Sequence, residues 1–580
     1  MPQPRSRAVF ALPELKPNAW DAALVPLAFA LLVLLAYGGA QMTTPYDVGE
    51  PLPMSLDPLN LPYYLLRSAL RMLMALGGSL LFTLVYATAA AKVPALEKVL
   101  IPALDILQSI PILGFLSITV TGFIALFPGN LFGVECAAIF AVFTSQAWNM
   151  AFSMYQSLRT VPADLIEASD MFLLSPWQRF WRLELPYAVP GLIWNMMMSV
   201  SGGWFFVVAS EAISVSGQTI LLPGVGSFIA LAIADRNLPA IGWAIAAVLA
   251  GILIYDQLMF RPLVAWADKF KFEQVPGEEV PRSWLLTLLQ RARLVRAAAR
   301  LPGALWEGCA SLVRRPGKGR FRAVSLAPVW HLPPWAERVW NAILMLGALA
   351  AAVRVALFVH SSVETPEIIR VFLYGTATAT RVLVLIALAS LVWVPIGVWI
   401  GLRPRVAQNL QWLAQFLAAF PANLMFPVAV MLIVHFHLDP DVWTSPLMVL
   451  GTQWYILFNV IAGAAALPSD LKDAAHNLGL SGWLMWKRFI LPGIFPSFVT
   501  GAITASGGSW NASIVSEMVS WGDTKLSAFG LGSYIAQATA AGDFPRIALG
   551  IGVMCLFVMC FNHFIWRRMY RLASERLHIG

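Results

Sequence analysis

What this 580-residue chain lacks most is charge: Asp, Glu, Lys and Arg make up 12% of it, against roughly 25% in an ordinary soluble domain. With 59% hydrophobic residues, an ordinary soluble enzyme is excluded. Cysteine is scarce too. Cys136, Cys309, Cys555 and Cys560 have no C-x-x-C spacing, which leaves neither a disulfide framework nor a zinc ribbon. No G-x-x-x-x-G-K-[ST] run is present, since Pro316-Gly317-Lys318-Gly319 lacks the upstream spacing and the hydroxyl residue; the chain has no phosphate-binding loop of its own. A basic surface is also missing. Thirteen basic and five acidic residues lie between Arg261 and Arg322, and they account for the whole net charge of +8. The excess is one linker, and nucleic-acid binding loses its main support.

What is present is apolar sequence in long runs. A bilayer core of about 30 Å needs roughly 20 apolar helical residues, because every backbone polar group must be satisfied within the segment. Twelve stretches are expected to span: about 20–40, 64–91, 99–127, 132–156, 191–213 and 238–260, then 338–359, 371–401, 407–434, 446–466, 497–519 and 544–566. Basic residues stay on the cytoplasmic side. Lys92, Lys98, Arg159, Arg179, Arg182, the linker, Arg403, Arg405, Lys472, Lys487, Arg488, Arg567, Arg568 and Arg571 share one side of a twelve-span arrangement, whereas the loop 41–63 has Asp47, Glu50 and Asp57 and no Lys or Arg. Both termini are therefore expected in the cytoplasm. Arg5, Arg7 and Lys16 before the first apolar run imitate a signal peptide, but that run has a partner later in the chain and is expected to be kept.

The partner exists because the sequence repeats. Trp20-Asp21-Ala22 matches Trp340-Asn341-Ala342; Arg71, Pro94 and Pro111 match Arg381, Pro404 and Pro421; and from Trp148 and Trp454 onward a constant spacing of 306 relates Asp164 to Asp470, Pro186 to Pro492, Trp204 to Trp510, Glu211 to Glu517 and Gly226 to Gly532. The fold class expected is all-α and polytopic: two tandem six-helix units, residues 1–260 and 337–580, joined by a basic linker at 261–336. Six spans keep both copies the same way up, so a pseudo-two-fold axis along the membrane normal is expected. Within the linker, Trp284, Leu285, Leu286, Leu288, Leu289, Leu294 and Val295 alternate with Arg282, Arg291, Arg293, Arg296 and Arg300, as in an interfacial amphipathic helix; a partner site is the alternative.

Two loops between spans are alike. Residues 161–186 read Val-Pro-Ala-Asp164-Leu-Ile-Glu167-Ala168-Ser169 and continue through Leu173 and Trp177 to Leu185-Pro186; residues 467–492 read Leu-Pro-Ser-Asp470-Leu-Lys-Asp473-Ala474-Ala475 and continue through Gly479 and Trp483 to Leu491-Pro492. Early acidic residues suit a helix N-terminus, Gly479 suits its end, and Pro186 and Pro492 are expected to stop a second short helix. This pattern resembles the E-A-A loop of ABC importer permeases of the type I fold, with Ser169, Leu173, Asp473, Leu183 and Phe489 as departures. The resemblance implies a translocation subunit working by alternating access. It implies ATPase coupling through Asp164, Glu167, Ala168, Leu173, Pro186, Asp470, Asp473, Ala474, Gly479 and Pro492, ATP and Mg²⁺ held by two separate ATPase subunits, an external solute-binding protein, and a prokaryotic inner membrane. Ser210-Glu211 with Gly224-Val225-Gly226-Ser227, and Ser516-Glu517 with Gly530-Leu531-Gly532-Ser533, look like the nitrate, sulfonate, taurine and bicarbonate importers, the NitT/TauT group, and imply a small oxoanion or organic anion. A major-facilitator-like secondary transporter, also two six-helix halves, is the alternative.

Charged groups at membrane depth are costly. Arg71 is expected to pair with Glu211 and Arg381 with Glu517, either as structural ion pairs or as anion contacts. Ser201, Gly202 and Trp204, with Gly508, Ser509, Trp510 and Asn511, are candidates for the pathway, although close packing also accounts for the glycines. His435, His437, Asp439 and Asp441 look like a metal cluster on paper but sit in an external loop without a clear ligand framework; no metal and no cofactor are expected on this chain.

Overall fold

A computed structural model describes residues 18–47, 50, 52–110, 112–215, 218–270, 283–294, 334–403, 406, 410, 417–465, 467 and 469–576. Pro468, the Asp470 side chain and the linker residues Val295, Arg296, Arg300 and Cys309 lie outside what is described. Eight of the described helices are long and apolar enough to cross a membrane, or nine if Pro440–Leu450 and Gln453–Ala465, bent by 42°, are one span. The count of twelve is therefore not reproduced. The expected span 99–127 is two helices, Pro94–Ser109 and Ile112–Leu126, the first ending at Ile110, whose extended backbone (φ −76°, ψ 125°) is the conformation favoured for a residue that precedes a proline in sequence. Phe132–Arg159 is a 28-residue helix whose Glu135, Thr144, Gln146, Asn149 and Ser153 dilute its apolar character. Of the expected span 407–434, residues 410 and 417–419 are described as helical, followed by the shorter helix Ala422–His435.

The all-α expectation also needs correction. Two antiparallel hairpins follow Glu211 and Glu517: Ala212–Val215 with Gln218–Leu221, and Met518–Trp521 with Thr524–Ser527. They sit 306 residues apart, so the duplication extends to structure that periodicity did not reveal.

The chain forms two compact units. One comprises Met1–Gln41, Ser157–Trp194 and Ile254–Val329. In it, the buried Asp21 carboxylate accepts from the Arg293 and Leu294 amides (3.2 and 2.9 Å), and Asn18 donates to the Arg291 carbonyl (2.8 Å). Leu24 packs with Leu285 and Ala292. The linker helix Trp284–Arg291, capped by Ser283, thus has part of its apolar side covered by the helix Ala19–Gln41 rather than left for lipid.

The other unit comprises Met42–Gln156, Asn195–Leu253 and Trp330–Gly580. Helices Gln453–Ala465 and Leu491–Ser516 approach closely, since a Cβ on Gly501 would stand 2.7 Å from the Tyr455 carbonyl oxygen. Within this unit the repeats touch through a hairpin tip. Gly522 N–H donates to Ile233 O (3.0 Å), Arg236 Nη2 meets Asp523 at 2.9 Å, and a Cβ on Gly522 would lie 2.1 Å from Arg236 Nε.

Pro186 and Pro492 do not stop a helix. Each lies in one continuous helical run, Pro176–Glu211 and Gly482–Ser516, which passes through a π-turn at Phe180–Glu184 and Trp486–Ile490. There Leu185 and Leu491 donate to Phe180 O and Trp486 O, five residues back; the wider turn makes room for a ring that would crowd an α-helical one. A further π-turn pair, Asp256–Phe260 and Asn562–Trp566, has a following proline only in the first copy, so proline is not its sole cause.

Helix ends distinguish the copies. Ala163–Met171 and Ser469–Asn477 both close with an amide reaching five residues back, Leu174 N to Ser169 O (3.1 Å) and Leu480 N to Ala475 O (3.0 Å). This closure needs a left-handed residue: Gly479 supplies φ +72°, and Leu173 adopts +52° in its place. The same substitution recurs where Gly542 (φ +70°) has Arg236 (φ +54°) as its counterpart. A side chain in that region costs roughly 1–2 kcal/mol. Leu173→Gly should therefore raise stability by about 1 kcal/mol in thermal unfolding of the purified chain, whereas Arg236→Gly should give no gain, because it also removes the Asp523 contact.

Candidate functional site

Glu211 ends its helix fully buried. One carboxylate oxygen accepts from Arg71 Nη1 (2.6 Å) and Ser68 Oγ (2.5 Å), and the other from Gly226 N–H (2.6 Å). That amide belongs to the first turn of the helix Val225–Ala234, so the carboxylate occupies a helix N-terminus, where free N–H groups and the dipole favour an anion. The second copy repeats the arrangement. Glu517 accepts from Arg381 Nη1 (3.0 Å), Thr378 Oγ1 (2.7 Å) and the Gly532 and Ser533 amides (2.7 and 3.2 Å). Gly224 and Gly530 are glycine for a steric reason, since a Cβ on either would come within 2.3 Å of the glutamate Cδ. The two Gly-x-Gly-Ser segments are thus cradles for a carboxylate.

Sequence reasoning missed a third member of each cluster. Glu135 accepts from Arg67 Nη2 (2.5 Å) and from Arg71 Nε and Nη2 (2.6 and 2.8 Å). Its counterpart 306 residues later is Asp441, which bonds Arg381 Nη2 (3.3 Å) and the Phe529 amide (2.5 Å). The constant spacing was the available signal, but Asp441 had been grouped with neighbouring histidines. Asp439 accepts from the Asp441 amide (2.9 Å) and caps the turn Pro440–Trp443. Among the described residues no group of three or more His, Cys, Asp or Glu is placed to hold a metal ion.

The clusters are not equally buried. Arg67, Arg71, Glu135 and Glu211 are at most 1% exposed, two charges of each sign, while Arg381 is 13% and Asp441 51% exposed. Arg67 has Ala377 as its counterpart. Both arginines are directed at carboxylates, which is the structural ion-pair arrangement.

The pathway candidates lie in the same compact unit, with Ser201, Trp204, Ser509 and Trp510 buried and Gly202, Gly508 and Asn511 half-buried. Trp204 and Trp510 are each 2% exposed. A Cβ on Gly202 would stand 2.6 Å from Tyr455 Oη, and one on Gly508 2.6 Å from Thr452 Cγ2; here the glycines serve close approach. Ser201 Oγ donates to Met197 O (3.0 Å) within its own helix, and Ser509 Oγ contacts Thr452 Oγ1 (2.9 Å). Asn511 Oδ1 accepts from Ile112 N–H (2.7 Å), which caps the half-helix Ile112–Leu126 across the repeat boundary. The structure brings first-repeat Gly202 and Ile112 against second-repeat Tyr455 and Asn511.

The two E-A-A loops fold as helical knobs. In the first, Asp164 lies in the first turn of Ala163–Met171, Asp164 and Glu167 are exposed, Ala168 is half-buried, and Ser169 is buried with its hydroxyl donating to Ile166 O (2.6 Å). Ser175 and Gln178 form a capping box at the next turn, and Arg179 pairs with Asp170. In the second, Ala475 replaces Ser169, Asp473 and Ala474 are exposed, and Ser481 makes no side-chain cap. Pro186 and Pro492 follow the π-turns.

The family described as "Binding-protein-dependent transport system inner membrane component" matches twice, at residues 79–260 and 393–578. The relatives include the bicarbonate transport system permease protein CmpB of Synechococcus elongatus, 27% identical over 33% of this chain and 69% of that one. The nitrate import permease protein NrtB of Leptolyngbya laminosa is 26% identical over 30% and 59%. The glycine betaine/proline betaine permease protein ProW of Escherichia coli is 30% identical over 28% and 42%. With more than half of its length matched, the chain belongs to this family: it is an ABC importer permease, a multi-pass inner-membrane component carrying the permease domain in duplicate, and not the ATPase. The family implies ATPase and solute-binding partners, and the secondary-transporter alternative falls.

Removing one partner of a buried ion pair costs about 3–5 kcal/mol. Arg71→Leu, which leaves Glu211 without its arginine and Glu135 with Arg67 alone at a fully buried site, should lower the midpoint of thermal unfolding more than Arg381→Leu, which leaves Glu517 buried but whose other partner, Asp441, reaches water. Equal losses would show that burial does not set the difference.

Proposed function

From that membership we propose that this chain supplies both membrane halves of one importer, coupled to two separate ATPase subunits that hold ATP and Mg²⁺, and served by an external solute-binding protein. The observation that carries this reading is the pair of knobs at 163–184 and 469–490, which share a helix, a left-handed closure and a π-turn in the same order. Asp164, Glu167, Ala168, Leu173 and Pro186, with Asp470, Asp473, Ala474, Gly479 and Pro492, form the coupling surfaces. The loops bearing them, the linker and both termini lie on the cytoplasmic side, and the domain limits are 1–260, 261–336 and 337–580.

The solute in this reading is a small oxoanion or organic anion of the nitrate, sulfonate, taurine or bicarbonate class, supported by relatives named for bicarbonate and nitrate. The glycine betaine relative supports a second reading, a zwitterionic quaternary amine. Uptake of labelled bicarbonate, nitrate, taurine and glycine betaine into vesicles carrying the complex and its solute-binding protein separates the two. ATP-dependent, vanadate-sensitive uptake is expected, and uptake that persists without ATP hydrolysis overturns the coupling.

The pathway opens along the packed seam of Ser201, Gly202 and Trp204 with Gly508, Ser509, Trp510 and Asn511, in the alternating-access step that separates the repeats. Asn511→Leu leaves the Ile112 amide without its acceptor, a cost of roughly 1–3 kcal/mol. Uptake should fall about tenfold or more while the ATPase subunits stay bound; unchanged uptake removes Asn511 from the seam.

A further inference from the structure

Two side chains of the first repeat occupy left-handed positions that the second repeat fills with glycine, and their surroundings differ. Arg236 is held by contacts within the chain, the Asp523 carboxylate and the close approach of Gly522. Leu173 is 88% exposed, beside Met171 at 85% and Phe172 at 78%, and among the described residues nothing offsets its backbone cost. The second knob has Asn477, Leu478 and Gly479 at the matching places, and only Leu478 is a large apolar group. Charge differs as well. Residues 163–184 contain four acidic and two basic side chains, whereas 469–490 contain two acidic and three basic.

An exposed apolar triplet, kept at a strained turn on one knob alone, is stabilised only when another surface covers it. We propose that the first knob is the dominant anchor for the ATPase pair, with Met171, Phe172 and Leu173 seated in an apolar socket with a basic rim, and that the second knob is held more weakly in a more polar socket. This rests on the coupling reading above and adds an inequality that the duplicated loops do not by themselves require. A large side chain at the tip of a desolvated contact carries a disproportionate share of the affinity, and a net-negative knob favours a basic rim by complementarity of charge.

The experiment uses the full chain in lipid nanodiscs, titrated with the ATPase that co-purifies with it. Leu173→Gly is the informative variant, because it relieves strain while deleting the side chain: the chain should become more stable and yet bind ATPase about tenfold or more weakly. Leu173→Ala should lose affinity without the gain in stability, and Phe172→Ala should behave alike. Leu478→Ala should weaken binding by no more than about threefold. A stabilised Leu173→Gly chain with unchanged ATPase affinity, or a Leu478→Ala loss as large as that of Phe172→Ala, overturns the anchor assignment and leaves the coupling reading standing. A wild-type chain that retains no ATPase overturns both.

Discussion

Each repeat is organised around one interaction, a glutamate carboxylate inserted into the N-terminus of the following helix. Glu211 and Glu517 close long helices, reach across a hairpin to the Gly226 and Gly532 amides, and collect an arginine and a hydroxyl from a third helix. Three elements distant in sequence converge on a group a few ångströms wide. An ionised carboxylate at membrane depth would be costly alone; amide donors, a helix dipole and a guanidinium together make its burial tolerable. The hairpins exist because the chain must turn between the glutamate and the glycines that receive it.

Duplication followed by specialisation explains much of the remainder. The first repeat buries a balanced set of four charges and the second a looser set of three. Gly479 and Gly542 of the second repeat stand where the first has Leu173 and Arg236, at the same left-handed turns. Asn511, with Phe205 as its counterpart, caps a helix of the other repeat. Arg236 and Asn511 each add a contact between the repeats that a symmetric pair could not make, and the fused chain can retain such differences because its two halves are never interchanged.

The sequence made the duplication, the E-A-A loops and the Arg71/Glu211 and Arg381/Glu517 pairings legible, because each rests on spacing or on the cost of isolated charge. It concealed the hairpins, since four-residue strands next to apolar helices leave no usable period. It concealed the role of Asp441, which read as part of a loop, and that of Glu135, which read as one residue of an apolar span. The helix end at Ile110 and the polar content of Phe132–Arg159 defeat a count of spans made from hydropathy alone. Pro186 and Pro492 misled because a proline stops an α-helical turn but can be housed in a π-turn.

Those π-turns set an angular relation. An α-helix advances about 100° per residue, so the one additional residue accommodated at Phe180–Glu184 or Trp486–Ile490 fixes the azimuth of everything after it. In the second copy, deleting that residue would leave knob and helix intact while rotating Gly508, Trp510 and Glu517 by more than a quarter-turn relative to the knob. The phase between the second knob and the Gly508 and Trp510 face of the helix that follows it thus depends on a single inserted residue.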